Sequence, residues 1–116
     1  MKTTAKDFKL YQEYCHNWQV KLNLQHYAIA FIHDNSRPDT DAWVLADSEN
    51  GIASVGLTID WDAKPTRQDL DRAACHEMLE LLHWEIRNLL SAIFCNEVIN
   101  RKLHNVIRPL ENLFFS

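Results

Sequence analysis

Glycine and proline are scarce in this chain. Two glycines and three prolines among 116 residues leave no low-complexity or collagen-like segment, and 47% hydrophobic residues argue against disorder. Cysteine is sparse as well. Cys15, Cys75 and Cys95 are odd in number and lack paired metal-type spacing, which fits reduced thiols, buried and structural, rather than a disulfide framework. No run approaches the ~20 apolar residues needed to cross a bilayer, and Met1 to Phe8 lacks the apolar stretch of a signal peptide. The expected location is the cytoplasm. A concentrated basic patch is also missing: Arg67, Arg72, Arg87, Arg101, Lys102 and Arg108 are spread among acids, and the formal net charge is −4. Nucleic acid is therefore not the expected partner.

The length and the absence of internal repeats predict a single domain over residues 1–116. Phe8, Tyr11, Tyr14/Cys15 and Trp18 recur at three to four residues, which predicts an amphipathic helix from about Asp7 to Trp18. From Leu22 to His33 the period shortens to two, predicting a strand with Tyr27, Ile29 and Phe31 on one face. Asp34 to Asp41 is a polar loop. Ala42–Ala46 and Ile52–Asp60 read as two more strands joined by a turn at Ser48-Glu49-Asn50-Gly51. The second of these should carry Ile52, Ser54, Gly56 and Thr58 on one face and Ala53, Val55, Leu57 and Ile59 on the other.

Thr66, with Asp69 three residues on, marks the start of a helix from about Arg67 to Leu89 or beyond, whose buried stripe should be Leu79, Leu82, Ile86, Leu89 and Ile93. A last helix is expected from about Asn96, as N-cap, to Phe115, kinked or broken near Arg108 by Pro109. The fold class expected is α+β: an N-terminal helix, a small three-stranded sheet with a hairpin, and two long helices.

The chemistry-bearing segment is His76-Glu77-Met78-Leu79-Glu80 in the middle of the first long helix. Residues four apart differ by about 40° around a helix and about 6 Å along it, so His76 and Glu80 can reach one metal ion from adjacent turns. Glu77 lies about 100° from His76 and suits a different task, activation of a water as general base. Two ligands do not complete a catalytic zinc centre. The third can be sought at His83, His104, His26 or His33. His83 is about 10.5 Å further along the same axis than His76, which would strain a common site. His104 lies on the last helix, within reach if the two long helices form a hairpin. The plainer reading of the same residues is an amphipathic helix whose polar face carries acids and histidines for a partner helix.

Ala-Cys-His-Glu-Met-Leu-Glu-Leu-Leu, ending at Leu82, and His104-Asn105-Val106-Ile107-Arg108-Pro109-Leu110-Glu111 resemble the small metallopeptidase-like proteins encoded by bacteriophages and prophages. Trp18, Lys21-Leu22-Asn23-Leu24 and a strand opening at Tyr27 are similar to that family's N-terminal part, so the likeness covers most of the chain. It implies a minimal zincin-like fold in which His76, Glu80 and His104 bind Zn²⁺, with water in the fourth position and Glu77 as general base. Glu80 stands where many such proteins have histidine, and Pro109 interrupts a helix expected to be continuous. A peptide or protein substrate follows from the same likeness, with the strand Ile52–Asp60 offering a β-addition edge and Glu97 or Glu111 orienting an imidazole. The competing expectation is a non-catalytic phage protein that binds a host protein through the same scaffold, its metal structural or absent and its location the host cytoplasm.

Overall fold

Two threonines set where the first two helices begin. Thr4 accepts from the Asp7 amide at 3.1 Å while the Asp7 carboxylate accepts from the Thr4 amide at 2.9 Å, and helix α1 runs Ala5–Lys21. Thr66 and Asp69 repeat the device at 3.1 and 2.8 Å ahead of α2, Arg67–Leu90. Between them lie strands β1 (Ala28–Asp34), β2 (Ala42–Asp47) and β3 (Ile52–Thr58), and α3 (Asn96–Phe114) ends the fold. The computed structural model describes residues 1–90 and 96–115, and within them the side chains of all but 85, 88, 89 and 96–100. The expected α+β layout holds. Cys95 and Ile93, and the side chains of Leu89, Glu97 and the proposed cap Asn96, fall outside what is described.

The sheet order is β1-β3-β2, with β3 parallel to β1 and antiparallel to β2. Chain order therefore differs from spatial order: after β1 the 35–41 loop carries the chain to the far edge, and the hairpin closed by Gly51 at φ 64° returns it to the centre. This overturns the expectation that the strand Ile52–Asp60 offers a peptide-binding edge. It is paired on both sides, and the free antiparallel edge belongs to β2. Ala53, Val55 and Leu57 share a face, as the alternation predicted, and that face meets the helices. On the opposite face the Trp43 indole lies across Gly56, where an added Cβ would meet Trp43 Cε2 at 2.1 Å, and the Arg37 guanidinium covers that indole at 4.9 Å.

Three further expectations are corrected. β1 starts at Ala28 rather than Leu22, because Leu22 caps α1, Asn23 takes the left-handed conformation at φ 59°, and the Gln19 amide holds the carbonyls of Leu24 and Tyr27 at 3.0 Å each. The buried stripe of α2 is Leu70, Ala74, Met78 and Leu81, flanked by Cys75 and Leu79, while Leu82 is only half-buried and Ile86 is 45% exposed. α2 is apolar over more than half its circumference because it packs against α1, β2 and α3 at once, so several stripes fit its sequence equally well. Pro109 does not end α3. It sits on the exposed side, as does Asn105, whose carbonyl loses the i+4 amide there and is left to water.

The core joins Tyr11, Cys15 and Trp18 of α1 to the α2 stripe, to the inner face of the sheet and to Ile107 of α3. Tyr11 Oη donates to the Gly56 carbonyl at 3.2 Å, fixing α1 over the sheet. Met1 to Thr3 pair with residues 59–61, where Thr3 N donates to Ile59 O at 2.7 Å and Trp61 N to Met1 O at 2.8 Å. That pairing anchors the segment leading from β3 to α2.

Candidate functional site

α2 and α3 pack antiparallel, and the polar groups between them form a ladder. Arg72, His76 and Glu80 stand at successive turns of α2, on the face turned toward α3. Arg72 Nε donates to Glu111 Oε1 at 2.8 Å, and its guanidinium also reaches Asn112 Oδ1. Glu111 Oε2 then accepts from His76 Nδ1 at 2.7 Å, so one carboxylate is held by an arginine and in turn fixes the imidazole. The other ring nitrogen, Nε2, is left directed at Glu80 Oε1, 3.6 Å away. His104 Nδ1 of α3 approaches the same Glu80 oxygen, also at 3.6 Å.

The three residues expected as ligands thus meet, with Glu80 between the two imidazoles. At 3.6 Å neither separation is a hydrogen bond. Two donors each about 2.0–2.1 Å from a tetrahedral zinc lie about 3.3 Å apart, so each of these two pairs is a few tenths of an ångström wider than ligands of a shared ion. Among the described residues no set of three or more His, Cys, Asp or Glu forms a group that could hold a metal ion. A bound ion is accordingly an inference from donor chemistry rather than from a closed cage.

Charge in the ladder is strongly coupled. Glu80, then Glu111, raise the His76 imidazole to about 9, against the opposing effect of burial. Burial alone would raise the Glu80 carboxyl, yet His76, His104 and Arg87 hold it below its ordinary range. Glu111 is lowered in the same way by His76 and Arg72. His104 remains 55% exposed at its side chain, so this end of the ladder is open to water.

Glu77 has a different environment. It is 6% exposed, and its Oε2 has no hydrogen-bond partner among the described residues. Burial first, and then the charges of Glu80 and Glu111, push its carboxyl up to about 7. It lines a cleft of about 510 Å³ together with His76, Thr40 to Ala42 and Trp61 to Lys64. Glu80 and His104 are not among the residues that line it.

The other histidine candidates do not join. His83 is buried and its Nδ1 donates to Leu79 O one turn back at 2.7 Å, a self-satisfied core histidine. His33 is stacked on Phe8 at 4.7 Å and bonded to Thr3 Oγ1, on β1. His26 packs on Tyr27 beside the helix exit. Cys75 is buried in the core with its thiol pushed up to about 12, first by burial, which suits a structural thiol. Of the two acids expected to orient an imidazole, Glu111 does so and Glu97 lies outside the described side chains.

Arg72 and the 61–64 wall were not anticipated. Arg72 carried a usable signal, since it precedes His76 by one helical turn. The wall carried none, because it depends on where β2 lies in the sheet. Compared with known protein families, curated proteins and solved structures, the chain matches none.

Proposed function

We propose that this protein is a zinc-dependent hydrolase of the metallopeptidase type. His76, Glu80 and His104 would hold the ion, and Glu77 would be the general base. The observation that carries this reading is the pairing of a buried carboxylate in a cleft, its Oε2 without a partner among the described residues, with a carboxylate flanked by two imidazoles one turn further along the same helix. The likeness of the His76–Glu80 and His104–Glu111 segments to phage-encoded metallopeptidase-like proteins adds to it. A zinc ion there would supply Lewis acidity to a water and to a peptide carbonyl.

Each residue has a task that its surroundings suit. Glu111, braced by Arg72, keeps His76 Nδ1 as a donor and leaves Nε2 toward Glu80, as a ligand histidine requires. Glu77, with a carboxyl balanced near neutrality, can take a proton from water and return it to a leaving amine. β2 supplies the place for an extended substrate. Thr58 N donates to Asp41 O, so by alternation Val44 and Ala46 turn their backbone groups away from β3, while the carbonyl of Ala42, which lines the cleft, already accepts from Thr40 Oγ1 at 2.7 Å.

Metal content of protein purified without added zinc tests the proposal, alongside Glu77→Gln and His76→Ala. Zinc retained in the first variant and lost in the second, with zinc-dependent peptide hydrolysis only in the wild type, is the expected pattern. Bound zinc without hydrolysis would favour the non-catalytic binding protein instead, and no bound transition metal in the wild type would end the enzymatic reading.

A further inference from the structure

We propose that the cleft selects a peptide presenting a lysine or arginine side chain, whose cationic end pairs with Asp41 and Asp62 while its aliphatic stem lies along Trp61. This rests on the reading of the cleft as a peptide site and names the class of peptide it takes.

The lining is unbalanced in charge. Asp41, Asp62, Asp69, Glu77 and Glu111 stand against Lys64, Arg72 and His76, the last raised to about 9 and so cationic at neutral pH. All three cations are already engaged: Lys64 Nζ pairs with Asp7 at 2.8 Å, and Arg72 and His76 with Glu111 at 2.8 and 2.7 Å. Asp69 is committed to the start of α2. Asp41 and Asp62 take part in none of these ion pairs. Both line the one cleft, and burial, then the charges of Asp62 and Asp69, raise the Asp41 carboxyl. A ligand cation placed there would relieve that repulsion.

Two further observations point to a ligand. The Glu77 Oε2 in the same cleft is buried and finds no partner among the described residues. Trp61 Nε1 donates to the Asp41 carbonyl at 3.2 Å, which holds an aromatic surface beside the carboxylates. A flat apolar surface ending in negative charge suits a side chain with an alkyl stem and a charged tip.

The test is equilibrium binding of matched pentapeptides, identical except for a central lysine or glutamate, read by tryptophan fluorescence and calorimetry on the full chain. A chelator is included so that binding is measured without turnover. The lysine peptide should bind roughly tenfold more tightly at low salt, the gap narrowing at about 0.5 M salt. Asp62→Asn, at an exposed position, should shrink the preference, and Asp41→Asn with Asp62→Asn should abolish it. Equal binding of the two peptides, binding of neither, or a preference that survives the double variant would overturn the proposal. Lysine preference without zinc-dependent cleavage would defeat the peptidase reading alone, and cleavage without charge preference would defeat this inference alone.

Discussion

Replacing Glu77 by glutamine should make the metal-free protein more stable, and the gain should appear only above acid pH. In the unfolded chain this carboxyl ionises near 4.5, but in the fold it holds its proton to about 7, chiefly because it is buried. A folded-state value raised above the unfolded one gives a contribution that is fully present below 4.5 and is lost as pH rises through 7. At 1.36 kcal/mol per pKa unit, the loss is about 3 kcal/mol. For 116 residues, an unfolding entropy of about 2.1 cal/mol/K per residue turns that into roughly 12 °C in Tm. Glutamine keeps the shape and carries no charge, so it removes the dependence.

Thermal unfolding in the presence of a chelator, from pH 4 to 8, reads this directly. Wild type and Glu77→Gln should coincide near pH 4 and separate steadily to about pH 7. His76, raised from 6.5 to about 9, loses its own stabilising contribution between those values, so the wild-type curve should keep falling above 7. Parallel curves over the whole range would refute the claim that Glu77 is an uncompensated buried acid, and with it the basis for its assignment as base.

Zinc affinity, measured against a chromophoric chelator, should rise roughly tenfold per pH unit between 7 and 9, because a ligand at His76 must first displace its proton; a pH-independent affinity would exclude His76 as ligand. Glu111→Gln should lower the His76 imidazole toward 6.5 in an NMR titration and weaken zinc binding about 10- to 100-fold while leaving the fold intact. Gly56→Ala should cost about 1–3 kcal/mol in denaturant unfolding, since the new methyl meets the Trp43 indole pinned under Arg37, and pairing it with Trp43→Leu should recover part of that loss.

The sequence was most readable where local rules decide. Thr66 and Asp69 announce α2 because a capping box needs only four consecutive residues, and His76 and Glu80 share a face by helical arithmetic alone. His104 was within reach because two long helices close together in sequence have few ways to pack. The cleft was not legible, since the β2–β3 register that joins Asp41 to Trp61 has to be set against His76 and Glu77 by the packing of β2 on α2. Nothing in the alternation of Ile52 to Thr58 distinguishes a central strand from an edge strand when the sheet is this small. The stripe of α2 was legible only in part, Leu79 being buried and Ile86 exposed, for the opposite reason: with apolar residues around much of the helix, periodicity had no single answer.

Pro109 joins the two kinds of information. It stands between His104 and Glu111, which lie about 10.5 Å apart along α3 yet must reach Glu80 and His76, about 6 Å apart on α2. A proline on the exposed side, with no amide for the Asn105 carbonyl, favours a bend concave toward α2, which would turn both ends inward. Pro109→Ala should therefore raise the stability of the chelator-treated protein, by up to about 3 kcal/mol, since alanine restores the hydrogen bond. The same change should straighten α3, draw His104 away from Glu80 and weaken zinc binding. Stability and metal affinity moving in opposite directions would identify the bend as part of the site, whereas a gain in both would leave Pro109 a mere defect on the surface of α3.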